Sequence, residues 1–482
     1  MLIRNALIVD GSGDAPFPGY VRVAGGRIVA VSRNTSTDTT VTGDRVIDAG
    51  GRVLAPGFID THSHGDRDIF QQPDALAATS QGITTIIVGQ DGGSPLPLAD
   101  FFDKLTEQPA AVNVAAYVGH NTLRSEVLGR DYRRPATPSE LERMHELLER
   151  ELASGAIGLS TGLEYEPGIY SETGEVLALA RVAAEHGGRY ISHVRSEDRW
   201  FEAALDEAIR IGRDTGMPVQ ISHIKLAMTR LWGEAPAIID KLNAARAAGI
   251  DITADIYPYE YWQSNLMVLL PERDYTDHAA IAEALELIAP PDGIWLTKYA
   301  PQPDLVGKTL TEIAAMRDVD PVTAFSQLAE ASERMEEETG EGAVSIIGTS
   351  MREDDIRALL AWPHTNICTD GGFEGLHPRA RGAFTRVLGR YVREQDLLSL
   401  EHAIHRMTGL SAAHMGFTDR GLIREGMQAD LVLFDPDTVT DRATPEYPDR
   451  LSAGILSVWV AGEQVYDGQS ATGARPGSVI RR

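Results

Sequence analysis

Cysteine is nearly absent. Cys368 is the single one in 482 residues. That excludes an internal disulfide and fits a reducing compartment. Lysine is scarce too, five against 39 arginines, a skew that reads as coding bias. Positive charge is in deficit: the formal net charge is −26, which argues against nucleic acid or an anionic membrane as partner. No stretch reaches the length of a membrane-spanning helix, and the start, MLIRNALIVDG, lacks the apolar core of a signal peptide. Low-complexity tracts and repeats are missing as well. A soluble, cytoplasmic protein is expected, with its oligomeric state left open.

What is present is 43% hydrophobic residues over a length that suits one large domain and a smaller one. The first 55 residues read as short alternating strands broken by Gly-rich turns, and so do ADLVLFDP, GILSVWVAGEQVYDG and RPGSVIRR near the end. Two β-rich ends around a different middle predict a small β-sandwich domain built from residues 1–55 and 418–482. The middle, 56–417, alternates strand and helix. GFIDTHSH, TTIIVG, NVAAYVGH, AIGLSTG, RYISHVR, PVQISHI, DITADIY and TNICTDGG are eight candidate strands. Helical patterns such as SELERMHELLERELASG lie between them, several ending in Gly. This α/β alternation predicts a (β/α)8 TIM-like barrel. The connection between the seventh and eighth strands is too long for a loop and predicts an inserted subdomain at about 263–362.

A barrel carries its chemistry at the C-terminal ends of its strands. The first offers His62 and His64, one residue apart and so on one face, with Asp60 below. Alone, that pair could equally be a polar strand end. The later ends add Asp91, His120, Glu164 with Tyr165, His193 with Arg195, His223 with Lys225, Asp255 with Tyr257, and Asp370. Five of thirteen histidines thus fall on the catalytic side. His62, His64, Asp91, His193, His223 and Asp370 make a six-ligand set of imidazole and carboxylate, suited to Zn2+, with Co2+ or Mn2+ acceptable. It could hold two ions sharing Asp91, or one. His120 stands evenly between a substrate contact and a group behind the ligands.

These motifs carry a resemblance. PGFIDTHSHGD, GLSTGLEYEPGIYSETGEVLALA, SHVRSED, ISHIK, DIYPY, HPRARGAFTRVLGRYVRE and GMQADLVLFDP resemble the amidohydrolase superfamily and, within it, the D-aminoacylases or N-acyl-D-amino-acid deacylases. The resemblance runs nearly end to end. It implies a zinc enzyme that hydrolyses a linear amide of a small N-acylated amino acid. It implies that His193 and His223 hold a tight zinc and His62 and His64 a weaker one. Asp370 would be the catalytic proton carrier, and Lys225 and Tyr257 would hold the substrate α-carboxylate. Tyr165, His120 and Arg195 are expected at the substrate, and Arg379, in the HPR loop with His377, at the pocket border. Other outcomes of the same chemistry are a dipeptidase or a hydantoinase-like cyclic amidase. An inactive scaffold is the reading from another class. Two departures stand out. Asp91 occupies the place where the family usually carries a cysteine ligand; it could ligate, or merely hydrogen-bond a ligand histidine. Tyr259, Tyr261 and Trp262 crowd one loop, either reshaping the side-chain pocket toward apolar substrates or packing the insertion. Lys225 has a plain alternative as well, a salt bridge to a barrel carboxylate.

Overall fold

A computed structural model describes residues 1–33 and 45–482; the stretch of the expected β domain at 34–44 lies outside them. Eight parallel strands form the barrel: Phe58–Asp60, Ile83–Val88, Asn113–Ala116 continued by Val118–Gly119, Gly158–Gly162, Arg189–His193, Val219–Ile221, Ile252–Ile256 and Thr365–Ile367. They are buried on both faces, as parallel strands clad by helices must be. The ring closes just beyond the strands, where His64 N donates to Gly371 O at 3.0 Å and Asp370 N to His62 O at 2.9 Å. Closure therefore brings together the two segments richest in candidate ligands.

The helices follow local rules. Pro138–Ala153 starts at Thr137, whose hydroxyl accepts from Glu140 N while Glu140 reaches back to Thr137 N. Its Met144, Leu148 and Leu152 fall on the buried face at spacings of four. Among the described residues no helix is long and apolar enough to cross a membrane.

Both ends of the chain build the small β-sandwich domain. Its strands join in one hydrogen-bonded sheet, in which Val53–Pro56 pairs with Leu431–Phe434 and Leu2–Ile8 runs beside Val53–Pro56. Ile3, Ile8, Val21, Leu54, Leu431 and Trp459 fill its core.

Two segments sit differently from expectation. The last residues do not join this sheet. Ser478–Ile480 runs along the third barrel strand, with Val114 N donating to Ser478 O at 3.0 Å and Ile480 N to Val114 O at 2.8 Å. Alternation in SVIRR signalled an extended segment but could not name its partner. The insertion is also shorter than expected. Tyr261–Ser264, Ile294–Tyr299 and Val344–Thr349 form its antiparallel sheet; helices Leu310–Arg317 and Pro321–Thr339 lie against it, and His278–Leu287 packs on Pro321–Thr339. Helix Glu353–Ala361 instead packs on Ala235–Ala247 and the eighth strand, and so belongs to the barrel wall.

A candidate metal centre at the barrel mouth

Three strand ends turn sharply inward. Asp91, His223 and Asp370 have φ of +53°, +32° and +47°, a region that non-glycine residues adopt at a cost. Gly162 makes room for one of these turns: a Cβ there would lie 2.1 Å from Asp91 O. Asp60, below His62 as expected, accepts from the backbone and hydroxyl of Thr369 and so braces the first strand end against the eighth.

The turns focus six side chains. Asp91 Oδ1 is 3.3 Å from both His62 Nε2 and His223 Nε2, and its Oδ2 is 3.2 Å from His64 Nε2. Asp370 Oδ1 is 3.2 Å from His64 Nε2 and 3.5 Å from His62 Nε2. His193 Nδ1 faces His223 Nε2 at 3.1 Å. Donor atoms of His62, His64, Asp91 and Asp370 lie within 4.8 Å of one another, and so do those of Asp91, His193 and His223. Asp91 belongs to both groups.

These residues fit a divalent cation. Both ring nitrogens of His62 are buried without a hydrogen-bond partner among the described residues, and Nε2 looks at two carboxylates. His193 Nε2 lies 2.9 Å from Glu164 Oε2, and His223 Nδ1 lies 2.9 Å from Glu197 Oε1. A carboxylate accepts only, so His193 Nε2 carries the proton and His193 Nδ1 turns a lone pair toward His223, whose own Nδ1 also lies 2.6 Å from Lys225 Nζ. Burial and Lys225 oppose charge on His223, but Asp370, Glu197 and Asp91 outweigh them and raise its pKa to about 10. Burial would likewise raise the carboxyls of Asp370 and Asp91. Arg379, His223 and His62 beside Asp370, and His62 and His223 beside Asp91, outweigh burial and hold both well below the ordinary range.

Around this cluster lie four of the residues expected at the substrate. Arg379 Nη1 pairs with Asp370 Oδ2 at 2.7 Å, and its guanidinium sits 4.5 Å from the Tyr257 ring centre. Tyr257 is buried, its hydroxyl has no partner, and burial pushes its pKa well above 10. Lys225 Nζ lies 2.6 Å from Glu197 Oε1, the barrel salt bridge foreseen as its alternative, while the residue still lines the cavity. Tyr165 lines the cavity beside His193, ring centres 4.3 Å apart. The aromatic loop divides: Trp262 lines the cavity, whereas Tyr261 packs on His377 and Tyr259 on His377 and Arg386.

Two expected contacts need correction. His120 opens helix His120–Leu128 and turns to Glu175, 2.8 Å away, in a buried network with Arg124. Arg195 forms a two-pronged pair with Glu207, both contacts at 2.9 Å. Neither lines the cavity. Conversely Glu197 was not anticipated, because it follows the fifth strand in a loop without periodicity. Its one signal is SHVRSED, an acid four residues after a candidate ligand.

Comparison with known proteins finds relatives over the full length of the chain. The pattern described as "Amidohydrolase family" matches residues 45–292 and 306–466. The N-acyl-D-glutamate deacylase of Alcaligenes xylosoxydans xylosoxydans is 38% identical, over 100% of this chain and 96% of that protein. The D-aminoacylase of the same organism is 36% identical, over 100% and 97%. The crystal structure of the Bordetella bronchiseptica N-acyl-D-glutamate deacylase, with zinc and a phosphonate mimic of the tetrahedral intermediate, superposes with TM-score 0.87 at 37% identity, covering 100% of this chain and 99% of that one.

Proposed function

This chain belongs to the amidohydrolase family, and on that premise we propose that it hydrolyses the amide bond of N-acyl-D-amino acids, releasing a carboxylate and a free D-amino acid. One observation carries the reading: six imidazole and carboxylate side chains converge, and one of them, Asp370, is held in place by an arginine.

We assign His193, His223 and Asp91 to one zinc position and His62, His64, Asp91 and Asp370 to a second, with Co2+ or Mn2+ as substitutes. When bound, the cation supplies Lewis-acid polarisation of the amide carbonyl and acidifies the attacking water. The rest is done by side chains. Arg379 fixes Oδ2 of Asp370, which leaves Oδ1 to accept the water's proton and return it to the departing amine. The Tyr165 hydroxyl, at the cavity wall, steadies the oxyanion. Lys225, whose ammonium has a third donor beyond those at Glu197 and His223, and the Tyr257 hydroxyl, without a partner among the described residues, hold the substrate α-carboxylate.

The test is hydrolysis of paired N-acetyl-D- and N-acetyl-L-amino acids after metal reconstitution, with Asp370→Asn as control. Turnover confined to the D series supports the reading. Equal rates on both hands, or opening of cyclic amides in their place, would replace it.

A further inference from the structure

The cavity beside the metal cluster has two unlike halves. One holds His193, His223, Asp370 and Lys225. The other is walled by Ala227, Trp262, Val268, Leu269 and Ile288. Leu269 is 1% exposed and Ile288 4%. The one polar atom of Trp262 is spent on Ser350, 2.6 Å away. The amide of Gln263, at the same wall, is committed to Thr297 and Ser345, and the Ser264 hydroxyl lies within 3.5 Å of the Tyr165 oxygen.

Charge points the same way. Among the described residues, the Lys and Arg side chains lining this cavity are Lys225 and Arg379; Arg67 and Lys298 line the more open cavity beyond Gln263 and Ser264, away from the apolar wall. Each already has a carboxylate, Glu197 at 2.6 Å and Asp370 at 2.7 Å. Glu164 and Asp198 also line it, each with a partner of its own, His193 at 2.9 Å and Arg199 at 2.8 Å, so neither leaves a cation free. If Lys225 takes the α-carboxylate, a second carboxylate on the substrate would meet an apolar wall and acidic neighbours. Burying such an unpaired charge is strongly disfavoured.

We infer that the amino acid released by this chain carries an apolar side chain, seated on the Ala227–Trp262–Val268–Leu269–Ile288 wall, and that D-glutamate and D-aspartate derivatives are rejected. The inference rests on the deacylase reading above. It separates the chain from the glutamate deacylase with which it shares 38% identity.

The metal-reconstituted enzyme is assayed with N-acetyl-D-leucine, -D-methionine, -D-phenylalanine, -D-glutamate and -D-aspartate. The kcat/KM for the apolar members is expected to exceed that for the acidic members by about 100-fold or more. Binding of free D-leucine and D-glutamate, followed by calorimetry, reads the wall without turnover and should favour D-leucine. Val268→Arg, at a half-buried position, should narrow the leucine-to-glutamate ratio by about tenfold or more. Failure of the deacylase reading shows as no turnover of any D-derivative, and the product-binding ratio then still decides the wall. D-glutamate bound as tightly as D-leucine, or its derivative turned over equally well, overturns the inference.

Discussion

Arg379 Nη1 lies 2.7 Å from Asp370 Oδ2, and both side chains are buried. The pair fixes which carboxylate oxygen is free: Oδ2 is occupied, and Oδ1 faces His62 and His64. A charge-assisted hydrogen bond of this kind is worth about 1.5–3 kcal/mol. Arg379→Ala should therefore lower kcat by roughly 10- to 100-fold. Arg379→Lys, which keeps charge but loses the planar fork, should recover part of it. Asp370→Asn should cost about 1,000-fold in kcat with a smaller change in KM. Steady-state kinetics on one N-acetyl-D-amino acid checks all three. An Arg379→Ala enzyme with unchanged kcat would remove Arg379 from the account.

Lys225 is assigned to the substrate carboxylate although it also pairs with Glu197. Lys225→Ala should raise KM for an N-acetyl-D-amino acid by about tenfold or more. The corresponding amino-acid amide, which has no carboxylate, should be affected much less. Equal losses on both substrates would mean that Lys225 serves Glu197 and His223 instead.

Glu175 gives the fold an acid-sensitive joint away from the site. Burial would raise its pKa, but His120 and Arg124 outweigh burial and lower it to about 2. In the unfolded chain it titrates near 4.5. Its contribution is thus complete above the unfolded value and is lost as pH falls from there toward 2. The shift corresponds to about 3 kcal/mol. Thermal melts from pH 7 to pH 3 should show wild type losing stability below about 4.5. Glu175→Gln should be less stable at pH 7 and flatter across the acid range. Parallel profiles would show that the network carries no such linkage.

Much of this was legible in the sequence. The alternation of eight strands and helices gave the barrel, and strand-end position located all six clustered side chains, since a closed parallel sheet places those ends on one rim. Strand-end position says nothing about where a side chain turns. His120 and Arg195 satisfied the same rule as His193, yet each found a carboxylate on a neighbouring helix first. Glu197 was invisible because loops have no period to read. Helix Glu353–Ala361 is amphipathic, but amphipathicity shows that a face is buried without showing against what. The left-handed turns at Asp91, His223 and Asp370 also lay beyond reach, because such backbone is usually flagged by glycine or asparagine.

Metal content per chain tests the convergence of the six side chains most directly. Protein purified and reloaded with zinc, then dialysed, is analysed by elemental mass spectrometry beside His193→Ala and His223→Ala, with folding checked by circular dichroism. The account predicts at least one tightly held ion in the wild type, lost together with activity in both folded variants and on chelation. Wild-type protein that holds no ion yet hydrolyses N-acyl-D-amino acids in the presence of a chelator would contradict it.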